Sequence, residues 1–188
     1  SNEGTIGASN GGRVELGGTF TNTGQLVGVD GSLAITGWFD NVGGSQTMDA
    51  STGDWRLDGG TISGGSITAT DGARLLPADN QDNRLRDGVQ FTGEIVLGYS
   101  GYLTISQGLT LDGTIRLTGG YTTLTFAGTQ VFPSGTIEFA GSGGQYRNVI
   151  ISGADGTELT LGPDATVRGG AGNARIISSG SGTQSLVN

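Results

Sequence analysis

Gly93-Glu-Ile-Val-Leu97, Gly113-Thr-Ile-Arg-Leu117 and Gly135-Thr-Ile-Glu-Phe139 are three versions of one unit, a glycine followed by apolar residues at its second and fourth positions. Working outward, the unit recurs at Gly12 (GRVEL), Gly31 (GSLAI), Gly53 (GDWRL), Gly72 (GARLL) and, toward the C-terminus, Gly156 (GTELTL). Neighbouring glycines are 19, 22, 19, 21, 20, 22 and 21 residues apart. A fixed period near twenty residues is the mark of a repeat architecture, in which each unit buries its apolar side only against the next.

Within the unit, apolar positions alternate with polar ones such as Glu15, Arg56, Arg116 and Glu138. Period-two alternation describes a strand with one buried and one wet face. Aspartate precedes the glycine at Asp30, Asp71, Asp112 and Asp155. Asp-Gly is a corner signal, because aspartate bonds its own backbone and glycine accepts positive φ. A second strand is legible at Tyr102–Ile105, Thr123–Phe126, Asn148–Ile151 and Ala165–Val167. Two or three short strands and their corners in each period make one turn of a coil. The expectation is all-β: a right-handed parallel β-helix (β-solenoid) of about eight coils of 19–22 residues. Two units fit imperfectly, since Arg74 holds an apolar position and the apolar pair after Gly156 is displaced to Leu159 and Leu161. A sandwich or barrel also uses many short strands, but a propeller needs a longer period and a left-handed hexapeptide coil a shorter one.

Composition narrows the chemistry. The 39 glycines are about three times ordinary usage, yet three prolines and abundant Ile, Leu, Val and Thr speak against collagen or disorder. There is no histidine and no cysteine, which removes Ser-His-Asp triads, cysteine nucleophiles, the usual zinc sites and disulfides. The net charge is −8, and all nine basic residues are arginine. An acidic chain without a basic cluster predicts no nucleic-acid partner and no attraction to anionic membranes, and no apolar run is long enough for membrane insertion. Ser1-Asn2 reads as a cloning scar, leaving residues 3–188 as a single solenoid domain.

The phrases Asp112-Gly-Thr-Ile-Arg-Leu-Thr-Gly-Gly120, Ser134-Gly-Thr-Ile-Glu-Phe-Ala-Gly-Ser-Gly-Gly144 and Asp155-Gly-Thr-Glu-Leu-Thr-Leu-Gly-Pro-Asp-Ala-Thr-Val-Arg-Gly-Gly170 resemble bacterial surface β-solenoids of the filamentous haemagglutinin and autotransporter-passenger kind. The likeness runs from about Gly12 to Arg175 and rests on a solenoid habit, not a functional signature. It implies an extracellular or cell-surface bacterial module, adhesin or structural spacer, with glycans or host-surface components as partners. It also implies a segment of a longer repetitive protein whose ends are covered by flanking coils or domains.

Candidate ligand residues fall in two groups. The polar stretch Pro77–Gly88 carries Asp79, Asp82, Arg84, Arg86 and Asp87. Its oxygens suit calcium or a glycan, although Arg84 stands where a calcium loop needs glycine. No cofactor is therefore expected. Asn80-Gln81-Asp82 matches the N-x-D element of the polygalacturonase-like β-helices, but no adjacent aspartate pair or histidine accompanies it. A polysaccharide lyase or hydrolase is the enzyme alternative. The second group is Tyr102, Tyr121 and Tyr146, each near the start of a second strand, where stacked rings would offer a platform for sugars. The plain reading is a solvated loop and outward packing. Trp38 and Trp55 read as core or cap residues. Ice binding is a third class, suggested by Thr19-Phe-Thr21, Thr68-Ala-Thr70 and Thr123-Leu-Thr125.

Overall fold

The computed structural model describes residues 1–170 and 172–188. Every strand pairing is parallel, and each strand stacks on the one a turn away. The fold is a parallel β-solenoid with three faces, its winding consistent with the right-handed sense of β-crossover-β connections.

The first face begins with Arg13–Leu16, Ser32–Ile35, Trp55–Leu57 and Arg74–Pro77 and continues through the second halves of Val89–Leu97, Leu109–Leu117, Gln130–Phe139 and Glu158–Arg168. The second face is an eight-stranded ladder running from Thr19–Phe20 through Trp38–Asp40, Thr61–Ser63, Arg84–Arg86, Tyr102–Ser106, Thr123–Ala127 and Gly143–Gly153 to Gly172–Gly180. Eight stacked strands are separated by seven turns. The third face holds Ser45–Met48, Ser66–Ala69 and the first halves of the four long strands, and ends at Ser185–Val187.

Inward columns are filled by the residues that alternation selects. Leu33, Trp55, Ile95, Ile115 and Ile137 share one column, and Ile35, Leu57, Leu97, Leu117 and Phe139 the next; all are buried. Each such side chain contributes roughly 1.5–3 kcal/mol on burial. On the second face Phe20 stacks on Phe39 with ring centroids 4.9 Å apart. The first coils carry an interior amide ladder on the third side. Asn2 donates to Asn22 Oδ1 at 2.6 Å, Asn22 to Gln46 Oε1 at 2.7 Å, and Gln46 back to the Asn22 carbonyl at 2.8 Å. Buried amides are tolerated there because each finds a partner in the next coil.

The third and first faces meet differently along the stack. At Asp30 and Asp71 the chain turns through the left-handed region, φ 58° and 53°, as Asp-Gly predicts. In Val89–Leu97 and Leu109–Leu117 one continuous strand bends at Gly93 and Gly113, which pair with each other. A Cβ on Gly113 would lie on the Gly93 carbonyl, and both glycines have positive φ.

Five expectations need correction. The corner Thr70–Ala73 places Gly72 one residue early, so Leu75 pairs with Trp55 and Ile95, and Leu76 points outward. Gly156 is not an equivalent corner, since Leu159 and Leu161 pair with Gln130 and Phe132 on the third face. Ala165–Val167 is accordingly a first-face strand, stacked on Gly135–Ile137. The period of 19–22 holds to Gly135 and then widens, for Gly135 pairs with Ala165, 30 residues on. The widening begins in the Gly- and Ser-rich stretch 140–147, which enlarges the corner between first and second faces. Finally, Trp55 is buried and donates to the Leu26 carbonyl, but Trp38 faces out, because its neighbour Phe39 takes the inward position.

Candidate functional site: a tyrosine-lined corner

The corner joining first and second faces carries most of the exposed aromatic surface. Successive coils turn there at Gly98–Gly101, Gly119–Thr122 and 141–147, held together by main-chain bonds. Ser100 N–H donates to the Gly120 carbonyl at 2.9 Å, and Tyr121 N–H to the Tyr146 carbonyl at 3.0 Å. A Cβ on Gly119 would collide with the Tyr99 main chain, so glycine alone permits this close stacking. Buried Thr122 closes the turn by donating to the Gly119 carbonyl.

Tyr99 is 70% exposed and Tyr121 52%. Their rings meet edge to face, centroids 5.8 Å apart at 86°, the arrangement aromatic quadrupoles favour. One coil further, the Arg175 guanidinium lies 3.0 Å from the centre of the Tyr146 ring, a cation–π contact. Of the three tyrosines read from the sequence, Tyr121 and Tyr146 therefore belong to this corner. Tyr102 opens the strand Tyr102–Ser106, half-buried, and pairs with Thr123. Sequence reasoning missed Tyr99. The signal was present: counting back from the Leu103–Leu124 pair puts Ser100 opposite Tyr121 and leaves Tyr99 on the turn.

Beside Tyr99 runs a groove of about 280 Å³, lined also by Arg56, Leu76, Asp79 and Val96. Leu76 and Val96 are outward apolar residues of the first face. Arg56 lies 3.4 Å from Asp58, which also receives a 2.9 Å bond from Arg13. The Arg13 bond holds the Asp58 carboxyl below the usual carboxylate range, against the cost of burial, with Arg56 adding to the effect.

The polar stretch after Pro77 is less a loop than expected. Residues 78–83 turn the corner, pinned by buried Asn83. Its side chain donates to the carbonyls of Ala78 and Tyr102, both at 3.0 Å, and accepts from Gly59 N–H at 2.7 Å. Arg84–Arg86 is then a strand of the second face. Asp79 remains near the tyrosines, and exposed Asp82 pairs with Arg84 at 3.1 Å. Arg86 and Asp87 sit at the opposite end of that strand. There Arg86 binds Asp87 and Gln107 and covers the Trp38 ring at 5.0 Å. The Ser63 hydroxyl donates to Asp87 and, ahead of Arg86, holds its carboxyl below the usual range. The five loop candidates thus divide between two corners. Among the described residues no three Asp or Glu side chains converge as metal ligands would.

These features define a parallel β-solenoid with an exposed, tyrosine-lined corner along its side. No family model matches the chain, and no curated protein or solved structure does so either.

Proposed function

We propose that this chain is a non-catalytic β-solenoid module of a bacterial cell-surface or secreted protein, acting as a rigid spacer and adhesive surface. The observation that carries this reading is the second face, eight strands stacked in parallel over an apolar interior. Such a stack keeps its length and presents fixed surfaces along its side, which is what a spacer or adhesin requires. The first face supports it further. Glu94, Arg116, Glu138 and Arg168 form a charge ladder, with Arg116–Glu94 at 3.3 Å and Arg168–Glu138 at 3.0 Å, so these groups pair with one another across coils. Incubating the purified chain with neutral and acidic polysaccharides should release no reducing ends and no unsaturated products. Turnover that disappears in Asp82→Ala or Arg84→Ala would replace this reading with a lyase or hydrolase.

Ice binding has one observation in its favour. Thr47, Thr68 and Thr92 stack in register on the third face beside Ser45 and Ser66. Gln90 and Asp112 interrupt the array. A thermal-hysteresis measurement on the purified chain decides it, and a clear freezing gap lost in Thr68→Tyr would favour this reading.

A further inference from the structure

We propose that the Tyr99–Tyr121 corner and the groove beside it form a docking site for an uncharged polysaccharide, laid along the solenoid axis; the inference rests on the surface-module reading above. The corner does not need these rings. Tyr121 adopts φ 59°, a left-handed conformation that bulky residues avoid. Ser100 holds the equivalent place one coil earlier, and the other such non-glycine residues described are Asn10, Asp30, Asp71, Asp87 and Gln107. A tyrosine there strains the backbone and leaves its ring half in water. An observed outlier of this kind points to a purpose other than stability.

Shape and chemistry indicate the ligand. A pyranose has an apolar C–H face and a rim of hydroxyls, so it needs a ring to stack on and mixed donors and acceptors beside it. The Tyr99 ring walls the groove and is braced at 86° by the edge-to-face contact with Tyr121. Leu76 and Val96 extend its apolar surface, while Arg56 and Asp79 supply a donor and an acceptor in the same groove. The coils repeat at a rise of about 4.8 Å, close to the length of one sugar along an extended chain, so a polymer laid along the axis keeps step with the coils. A peptide strand would need free main-chain groups, but Ser100 and Tyr121 N–H are already bonded to adjacent coils. The net charge of −8 disfavours a polyanion. Tight glycine packing fixes the platform in advance, which lowers the ordering cost of binding.

The test is titration calorimetry of the whole chain with cellohexaose, mannohexaose, galactomannan and polygalacturonate. At least one neutral probe should bind, with Tyr99→Ala and Tyr121→Ala each weakening it about fivefold to tenfold. Tyr102→Ala, on the second face, should leave affinity unchanged. Tyr121→Asn should bind equally poorly yet melt at a higher temperature, because asparagine accepts the left-handed turn. A fold defect would move affinity and melting together, so these readouts separate the two causes. The proposal is overturned if no neutral probe binds, if only polygalacturonate binds, or if Tyr99→Ala/Tyr121→Ala binds like the parent. Bond cleavage without loss of binding would instead sink the non-catalytic reading and leave this site standing.

Discussion

The last coil and the coil before it hold the same kinds of residue in the same register, with opposite fates. Val149 is 2% exposed, but Ile176, its partner one coil on, is 42% exposed. Leu159 and its partner Leu186 differ likewise, 1% against 41%. Neither chemistry nor strand position distinguishes the members of each pair. What differs is a coil on both sides against a coil on one. Burial in this protein is a property of stacking, and a single turn has no core of its own.

The sharpest test of that contrast is charge insertion at two inward positions, one in a middle coil and one in the last. Leu117→Asp should unfold or aggregate the protein, because an unpaired buried carboxylate costs several kcal/mol. Ile176→Asp, though also inward, should shift the urea midpoint by no more than about 0.5 kcal/mol equivalent. Equal losses would mean that the last coil is as well packed as the middle ones. Asn83→Ala should come next, costing about 1–3 kcal/mol by stranding the groups it satisfies. Half-buried Asn80→Ala, at the same corner, should cost less, since its side chain accepts from the exposed Asp82 N–H, and chemical denaturation measures both.

A smaller effect contrasts the early coils with the middle ones through pH. Asp58 and Asp87 have carboxyls lowered in the folded state. Their contribution is therefore complete above the unfolded value of about 4 and is lost as pH falls through the lower folded one. Hydrogen exchange should show the corners at Asp58 and Asp87 loosening below about pH 4 while the Ile115–Ile137 strands stay protected. Asp58→Asn should flatten the response of its coil. A small effect is also expected of Arg116→Ala. It removes the bridge from Glu94 to Glu138 on a solvated face, where Glu138 keeps Arg168, and melting should register less than about 1 kcal/mol. A loss comparable to that of Asn83→Ala would show that the ladder, and not the interior alone, holds neighbouring coils together.

The sequence by itself determined the parallel coil, its period through Gly135, and the inward columns Ile95–Ile115–Ile137 and Leu97–Leu117–Phe139. These follow from alternation and spacing, both local properties of the chain. Asp30 and Asp71 as corners were equally legible, because Asp-Gly acts within two residues. Tertiary structure alone decided the register where the unit was irregular. Arg74 against Leu75 is a one-residue slip that reverses every side chain, and it is settled only by what Trp55 and Ile95 present on either side. The same holds for Gly156, whose displaced apolar pair, Leu159 and Leu161, stacks on the third face. The aromatic corner was half legible. Tyr121 and Tyr146 were named, while Tyr102 stood where Tyr99 belongs, since turns have no alternation to count. Ring meets ring there only because two corners some twenty residues apart are brought one coil rise from each other, and that distance is fixed by the stack.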